Sequence, residues 1–331
     1  MKILAVFGRR GAAAIQVLIF VAAAAASATA QTFPTRPVRF VVPLAPAGAG
    51  DIVARTIATK LSDMWGGQVI IDNRGGANTI IGTEFVAKSK PDGYTWLLGV
   101  QGSLAINPAF YSKLPYDAVN DFDPVTQMTR YGYVLIVHPA LQVKRTVDLV
   151  ALARSRPGEL AYGTSGTGGS NHLAGELFRL MTDVKMNAIL YKGSAPALTA
   201  LLSGEVQLMF DTLITSIPLI KTGRVRALAV TLSHRSPSLP NAPTVGESGI
   251  PGYRFEAWQA IVVPAGTPKD IVRRIQQDVL KVLALPEVRR TLVDEGANEL
   301  VGSTPEEFGK HIRGEIERYR KLIAEAGIEK Q

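Results

Sequence analysis

The residues best suited to chemistry lie in Tyr162-Gly-Thr-Ser-Gly-Thr-Gly-Gly-Ser-Asn-His172, a run of glycines and hydroxyls between an apolar stretch and a helical pattern. Ser165, Gly166, Thr167, Gly168 and Ser170 supply hydroxyls and backbone amides but no cation. Such a set grips a carboxylate reversibly, through neutral donors and the positive end of a helix dipole. Ser165 is a poor nucleophile, because position 167 is Thr and the Gly-x-Ser-x-Gly elbow of hydrolases is absent. His172 stands at the helix start, where it either contacts the ligand or orients the loop by hydrogen bonds. No spacing arranges it with a serine and an aspartate as a triad.

A second strand-to-helix loop, Pro43-Leu-Ala-Pro-Ala-Gly-Ala-Gly-Asp51, repeats the design. Ligands of open α/β sheets sit outside the carboxyl ends of strands, and Gly48 and Gly50 allow the backbone to come close to one. Asp51 either caps the helix or faces the ligand. The loop lacks the Lys-Ser/Thr ending of a phosphate-binding loop and the spacing of a dinucleotide fingerprint. A third turn, Tyr191-Lys-Gly-Ser194, brings Lys192 and Gly193. Lys192 is the one cation near the presumed cleft, and it either neutralises a distal carboxylate or stays solvated. Asp211, which ends the strand Val206–Asp211, reaches either the cleft or an amide of the hinge. Trp65, Trp96 and Trp258 read as core or hinge packing, with no aromatic ladder for sugars or single strands.

These loops are carried by an alternation of short apolar runs and helical patterns. Val38–Leu44, Gln68–Asn73 and Tyr94–Val100 alternate with helices over Asp51–Trp65 and Thr79–Lys88. A second set follows Pro139: helices Val147–Arg154, Gly169–Met181 and Ala195–Leu202, and strands Glu159–Gly163, Lys185–Tyr191 and Val206–Asp211. Strand-helix alternation indicates βαβ units and largely parallel sheets, here in two lobes. Helices near Pro268–Leu283 and Thr304–Ala326 suit packing back onto the first lobe. Tyr133–His138 and Ala257–Val263 are the expected crossings, making a two-strand hinge around a cleft. Lobe 1 then comprises 31–133 and 251–331, and lobe 2 comprises 134–250.

Lys2, Arg9 and Arg10 precede an apolar run of about 15 residues that ends in small residues, the layout of a secretory signal peptide with cleavage expected after Ala30. The run is short of the roughly 20 residues needed to cross a bilayer. A periplasmic location follows. Residues 1–30 hold three of the 36 basic residues and none of the 28 acidic ones, so the remainder carries a net charge of +5. The charges are scattered, which argues against nucleic acid and suits anionic solutes. There are no cysteines and four histidines at no metal-ligand spacing, so neither a metal nor a cofactor is expected.

The chain resembles the Bug-type (TctC-like) extracytoplasmic solute receptors of the tripartite tricarboxylate transporter family. The matching stretches include Arg36–Pro43, Asp51–Arg55, Asp72–Arg74, Pro91–Tyr94, Ala105–Pro108, Lys113–Asp117, His172–Phe178, Gly204–Asp211, Pro264–Pro268 and Gly302–Phe308. The resemblance implies a type II-like periplasmic-binding-protein fold of two mixed sheets, with a small carboxylate held between the lobes. It places Leu44 through Gly50, including Ala47 and Ala49, then Ser103, Ser165 through Ser170, and Gly193 through Ala195, including Ser194, at the ligand. Ala47 stands where the family commonly has glycine, and Gln101 could add an amide contact specific to this chain. The implied partners are the carboxylate and the membrane components of a transporter; a monomer is expected. A periplasmic sensor and an α/β enzyme acting on a carboxylic acid are the competing readings, and the enzyme lacks an arranged acid, base or nucleophile.

Overall fold

The computed structural model describes residues 33–295 and 298–331, so the expected signal segment and the expected cleavage point after Ala30 lie outside the described residues. Pro37–Gln331 forms one compact unit. In chain order it runs β1 (Val38–Val42), α1 (Ala49–Trp65), β2 (Val69–Asn73), α2 (Ile80–Ala87), β3 (Thr95–Val100), α3 (Asn107–Phe110) and β4 (Phe122–Val137). Then come α4 (Thr146–Ser155), β5 (Ala161–Thr164), α5 (Ser170–Thr182), β6 (Asn187–Leu190), α6 (Ser194–Ser203), β7 (Leu208–Thr212), α7 (Leu213–Lys221) and β8 (Arg226–Val230). The chain closes with β9 (Glu256–Pro264), α8 (Lys269–Leu283), α9 (Pro286–Arg289), β10 (Glu299–Leu300) and α10 (Pro305–Glu325).

The strands form two mixed sheets that share β4. In the first, β2, β1 and β3 are parallel and β9 joins β3 to the front of β4, antiparallel to both. In the second, Tyr133–Val137 of the same β4 pairs antiparallel with β7 and β8, and β5 lies parallel between β7 and β6. Central strands covered on both faces read as continuous apolar runs. All nine residues of β9 are buried, as are Val38, Phe40, Val41 and Val42 of β1. The C-terminal helices cover the first sheet as their spacing predicts. In α10, Phe308, Ile312, Ile316, Tyr319 and Ile323 recur every three or four residues and are buried. A capping box between Thr304 and Glu307 starts that helix. Trp65 of α1 donates its indole N–H to Asp278 of α8 at 2.9 Å, tying the two outer helices together.

The crossings differ from the expectation in one respect. Tyr133–His138 does belong to a crossing strand, but β4 begins at Phe122 and runs 16 residues through both sheets. Ala257–Val263 lies wholly in the first sheet, opposite Asp123–Tyr131. The return passes through Thr231 and Phe255 instead. The Thr231 N–H donates to the Tyr133 carbonyl, its hydroxyl donates to the Phe255 carbonyl and accepts from the Tyr133 N–H, and the Phe255 N–H donates to the Thr231 carbonyl. A strand buried on both faces has the same apolar signature whether it lies in one sheet or links two. Helix α7 and β8 were also not expected, since Pro218 interrupts the helical pattern of the one and the other is only five residues long.

Packing between α5 and β5 turns on a glycine. A Cβ on Gly175 would lie 2.4 Å from the ring of Tyr162, which is fully buried. Alanine in a helix interior gains up to about 1 kcal/mol over glycine, and overpacking a rigid ring costs roughly 1–3 kcal/mol. The Gly175→Ala variant is therefore expected to melt several degrees below the parent; an equal or higher melting temperature would contradict this packing.

Candidate functional site

The parallel strands of both sheets deliver their carboxyl ends to helix starts. β1 leads to α1 through Gly48, β5 to α5 through Gly169, β6 to α6 through Gly193, and β7 to α7 through Thr212; none of these four starts has a side-chain cap. By contrast α10 is closed by a capping box between Thr304 and Glu307, and at α4 the Asp148 carboxylate accepts from the Arg145 N–H. An uncapped start leaves backbone N–H groups unpaired and carries a partial positive charge, which together make an anion site.

In the first loop Asp51 neither begins the helix nor is available to a ligand. It is buried, and its carboxylate accepts from the Ala47 N–H at 2.9 Å, Arg55 Nε at 2.8 Å and Asn73 Nδ2 at 2.9 Å. Burial pushes this carboxyl up, but those donors outweigh it and hold the group below the usual range. Asp51 thus shapes the loop, and Gly48 is the residue at the helix boundary. Gly48 is extended, at φ −84°, and a Cβ there meets nothing nearer than 3.8 Å. The left-handed residue is Ala47, at φ 63°. Gly50 is needed for packing, because a Cβ would lie 2.6 Å from Leu44 and 3.2 Å from Leu98. Ala49 opens the helix, and Leu44 folds over its start.

The glycine-rich loop before α5 is tightly bonded internally. Gly166 and Gly168 have φ of 130° and 70°, and a Cβ on Gly168 would strike Phe110 at 2.9 Å. The Ser165 hydroxyl donates to Asn171 Oδ1 at 2.7 Å, and Ser170 is hydrogen-bonded with the Tyr133 hydroxyl. His172 accepts the Gly168 N–H on Nδ1 at 3.1 Å, which places its proton on Nε2, 3.7 Å from Glu176. Its ring stacks on Tyr162. The histidine therefore orients the loop, and its two nitrogens face Gly168 and Glu176, not Ser165.

Elsewhere the expected contacts divide. Lys192, Ser194 and Ala195 are exposed, and Gly193 at φ 119° begins α6. Asp211 is buried with its carboxylate bonded to the hydroxyls of Thr215 (2.6 Å) and Ser216 (2.7 Å); burial pushes its pKa up against those bonds. It anchors the start of α7. Ser103 is buried in a π-helical turn, where its hydroxyl donates to the Val100 carbonyl. Gln101 is buried too, donating from Nε2 to the Glu256 carbonyl and the Tyr319 hydroxyl. Gln101 thus ties the end of β3 to the start of β9 within the first sheet and to Tyr319 of α10, so its expected ligand amide is used for packing. Among the described residues no cluster of three His, Cys, Asp or Glu is placed to hold a metal ion.

Sequence reasoning passed over the loop after β2. Gly76 to Thr79 forms a left-handed turn, with φ of 122°, 45°, 52° and 76°. Each non-glycine residue in this region costs about 1–2 kcal/mol, asparagine less. Asn107 holds the turn by donating to the Asn78 carbonyl at 2.8 Å and Thr79 Oγ1 at 3.3 Å. Asn78 Nδ2 in turn donates to Asn107 Oδ1 and, at 3.4 Å, to the Thr167 carbonyl of the glycine-rich loop. The first sheet's loops thereby touch the second's. Gly75-Gly76 was the available signal, a fourth glycine-bearing loop at a strand end.

Two lobes sharing β4, with uncapped helix starts at the carboxyl ends of the strands in each, define a solute receptor of the periplasmic-binding-protein fold. The sequence model of the tripartite tricarboxylate transporter family receptor matches residues 53–328, and the chain belongs to that family, TctC. Protein BugT of Bordetella pertussis is 35% identical over 95% of this chain and 97% of its own length. The solved structure of R. palustris Rpa4515 with adipate superposes with a TM-score of 0.85 at 40% identity, covering 89% of this chain and 98% of that one. MatC (Rpa3494) from Rhodopseudomonas palustris with bound malate gives 0.81 at 30% identity, covering 88% and 100%.

His172 makes the site's scaffold acid-sensitive. Burial lowers its pKa, with Glu176 opposing and Arg179 reinforcing the shift, and burial lowers that of His311 likewise. The folded state then binds protons less readily than the unfolded chain, so stability is lost as pH falls through the ordinary imidazole value of about 6.5. Melting temperature is expected to drop between pH 7.5 and 5. The drop should shrink in His172→Asn, whose carbonyl can still accept the Gly168 N–H; an equal drop in both proteins would exclude His172 as the source.

Proposed function

We propose that this chain is a periplasmic receptor that encloses a small carboxylate between lobe 1 (31–133 and 251–331) and lobe 2 (134–250) and delivers it to the membrane components of a tripartite tricarboxylate-type transporter. The observation that carries this reading is the set of uncapped helix starts after β1, β5, β6 and β7, two glycine loops of which carry no arginine or lysine. Neutral amides and helix dipoles stabilise an anion without the tight ion pair that would slow its release. Hydrogen bonds to a charged group contribute about 1.5–3 kcal/mol each, so three or four suffice for a dissociation constant on the order of micromolar. The adipate and malate bound by the two structural relatives are acids of this size and charge. No conversion of the acid is part of this reading, since Ser165 and His172 are engaged with different partners.

Calorimetric titration of the purified protein with adipate and with malate is expected to give saturable binding of at least one. Lys192→Ala should alter the affinity by less than about fivefold, because a solvated lysine adds at most about 1 kcal/mol. Absence of heat with both acids, together with no carboxylic acid released on denaturing the purified protein, would overturn the reading. Loss of binding in Lys192→Ala alone would replace the amide grip with an ion pair.

A further inference from the structure

One polar group at the mouth of α5 has no partner within the protein. Asn171 is the second residue of that helix and is 3% exposed. Its Oδ1 accepts from the Ser165 N–H at 3.2 Å and from the Ser165 hydroxyl at 2.7 Å. A backbone N–H can only donate, so the end of the amide facing Ser165 must be the oxygen and the orientation of the group is determined. To reach a residue six positions earlier, the side chain must lie back across the N-terminal end of its own helix. Its Nδ2 is buried there with no hydrogen-bond partner.

Buried donors are nearly always paired, and one left alone is costly. At this helix start the missing partner has a definite character. Gly169 gives the helix no side-chain cap, so its first amides are donors as well. The helix start and Nδ2 thus both offer donors, with no carbonyl or carboxylate of the protein provided for Nδ2. An acceptor with more than one lone pair and a negative charge fits this arrangement. Among the described residues the other buried side-chain amide atom without a partner, Gln101 Oε1, is an acceptor and offers a carboxylate nothing. We propose that Asn171 is a ligand-binding and specificity-determining residue, donating from Nδ2 to the carboxylate of the enclosed acid. This rests on the carboxylate-receptor reading above. It assigns to one side chain the distinction between an anionic end group, which presents only acceptors to Nδ2, and an ammonium end group, which presents only donors.

The test exploits the fixed orientation of the amide. Asn171→Asp keeps an oxygen for Ser165 and replaces the NH2 by a second, charged acceptor. Against adipate at pH 7.5 it should bind more than about a hundredfold more weakly than the parent, the equivalent of losing a charge-assisted bond and adding repulsion. Its affinity should recover as the pH is lowered and the introduced carboxyl gains a proton to donate, a recovery the parent does not show. Its melting temperature without adipate, measured at pH 7.5, should stay within a few degrees of the parent, since both Ser165 bonds are retained. Asn171→Ser, as a second variant, should lose about tenfold in affinity. Binding by both variants within threefold of the parent would overturn the assignment while leaving the receptor reading intact. Failure of the parent itself to bind adipate or malate would instead remove the reading on which the assignment rests.

Discussion

The structure depends on β4 being one continuous strand in two sheets. Its front half is bonded to β9 and its rear half to β7 and β8, and the change of partners falls at Gly132 and Tyr133. Thr231 holds that point with both its backbone and its hydroxyl, bonding Tyr133 on one side and Phe255 on the other. Gly132 has a steric reason to be glycine, because a Cβ would lie 2.5 Å from Leu232. With the crossing fixed, the parallel strands of each sheet end at loops that meet across the crossing, through Asn78 and Thr167 and through Phe110 and Gly168. The position of every helix start at the site follows from this one strand.

The site's electrostatics are arranged by subtraction. Carboxylates near the loops are buried and occupied by protein donors: Asp51 by Ala47, Arg55 and Asn73, Asp211 by two hydroxyls, and Glu176 by Tyr162 and Arg179. An acid entering the proposed site would therefore meet carboxylates already bonded to their own donors. Arg55 and Arg179 are likewise committed to aspartate and glutamate within their own helices. What is left for an anion is backbone N–H, a few hydroxyls and the amide of Asn171. A receptor that must both capture and release an anion is better served by such donors than by a buried ion pair, which holds its partner through strong low-dielectric attraction.

The left-handed turn at Gly76–Thr79 shows how local strain is tolerated at the site. Three consecutive non-glycine residues with positive φ persist because Asn107, buried and bonded to two of them, over-determines their geometry. The result is an asparagine side chain presented to the opposite lobe. Ala47 carries the same kind of strain in the first loop, where the Asp51 carboxylate holds its N–H.

Sequence by itself determined a good deal about this protein. The alternation of apolar runs and helical patterns placed most strands and helices within two or three residues, because burial of one face imposes a period that the chain must display. The glycine and hydroxyl loops marked the strand ends where the uncapped helices begin, since only such residues permit the backbone to turn there. Tertiary structure alone decided which strand crosses between sheets, because Tyr133–Val137 of β4 and Ala257–Val263 of β9 both read as buried apolar runs and differ in their partners. It also decided the roles of the polar residues. Asp51, Gln101, Ser103 and Asp211 became internal anchors, whereas Asn171, which sits in the same loop as the serines, was left with a donor unpaired. A polar side chain's role depends on which donors and acceptors lie within about 3 Å, and those are brought together by contacts up to 218 residues apart in the chain, as between Gln101 and Tyr319.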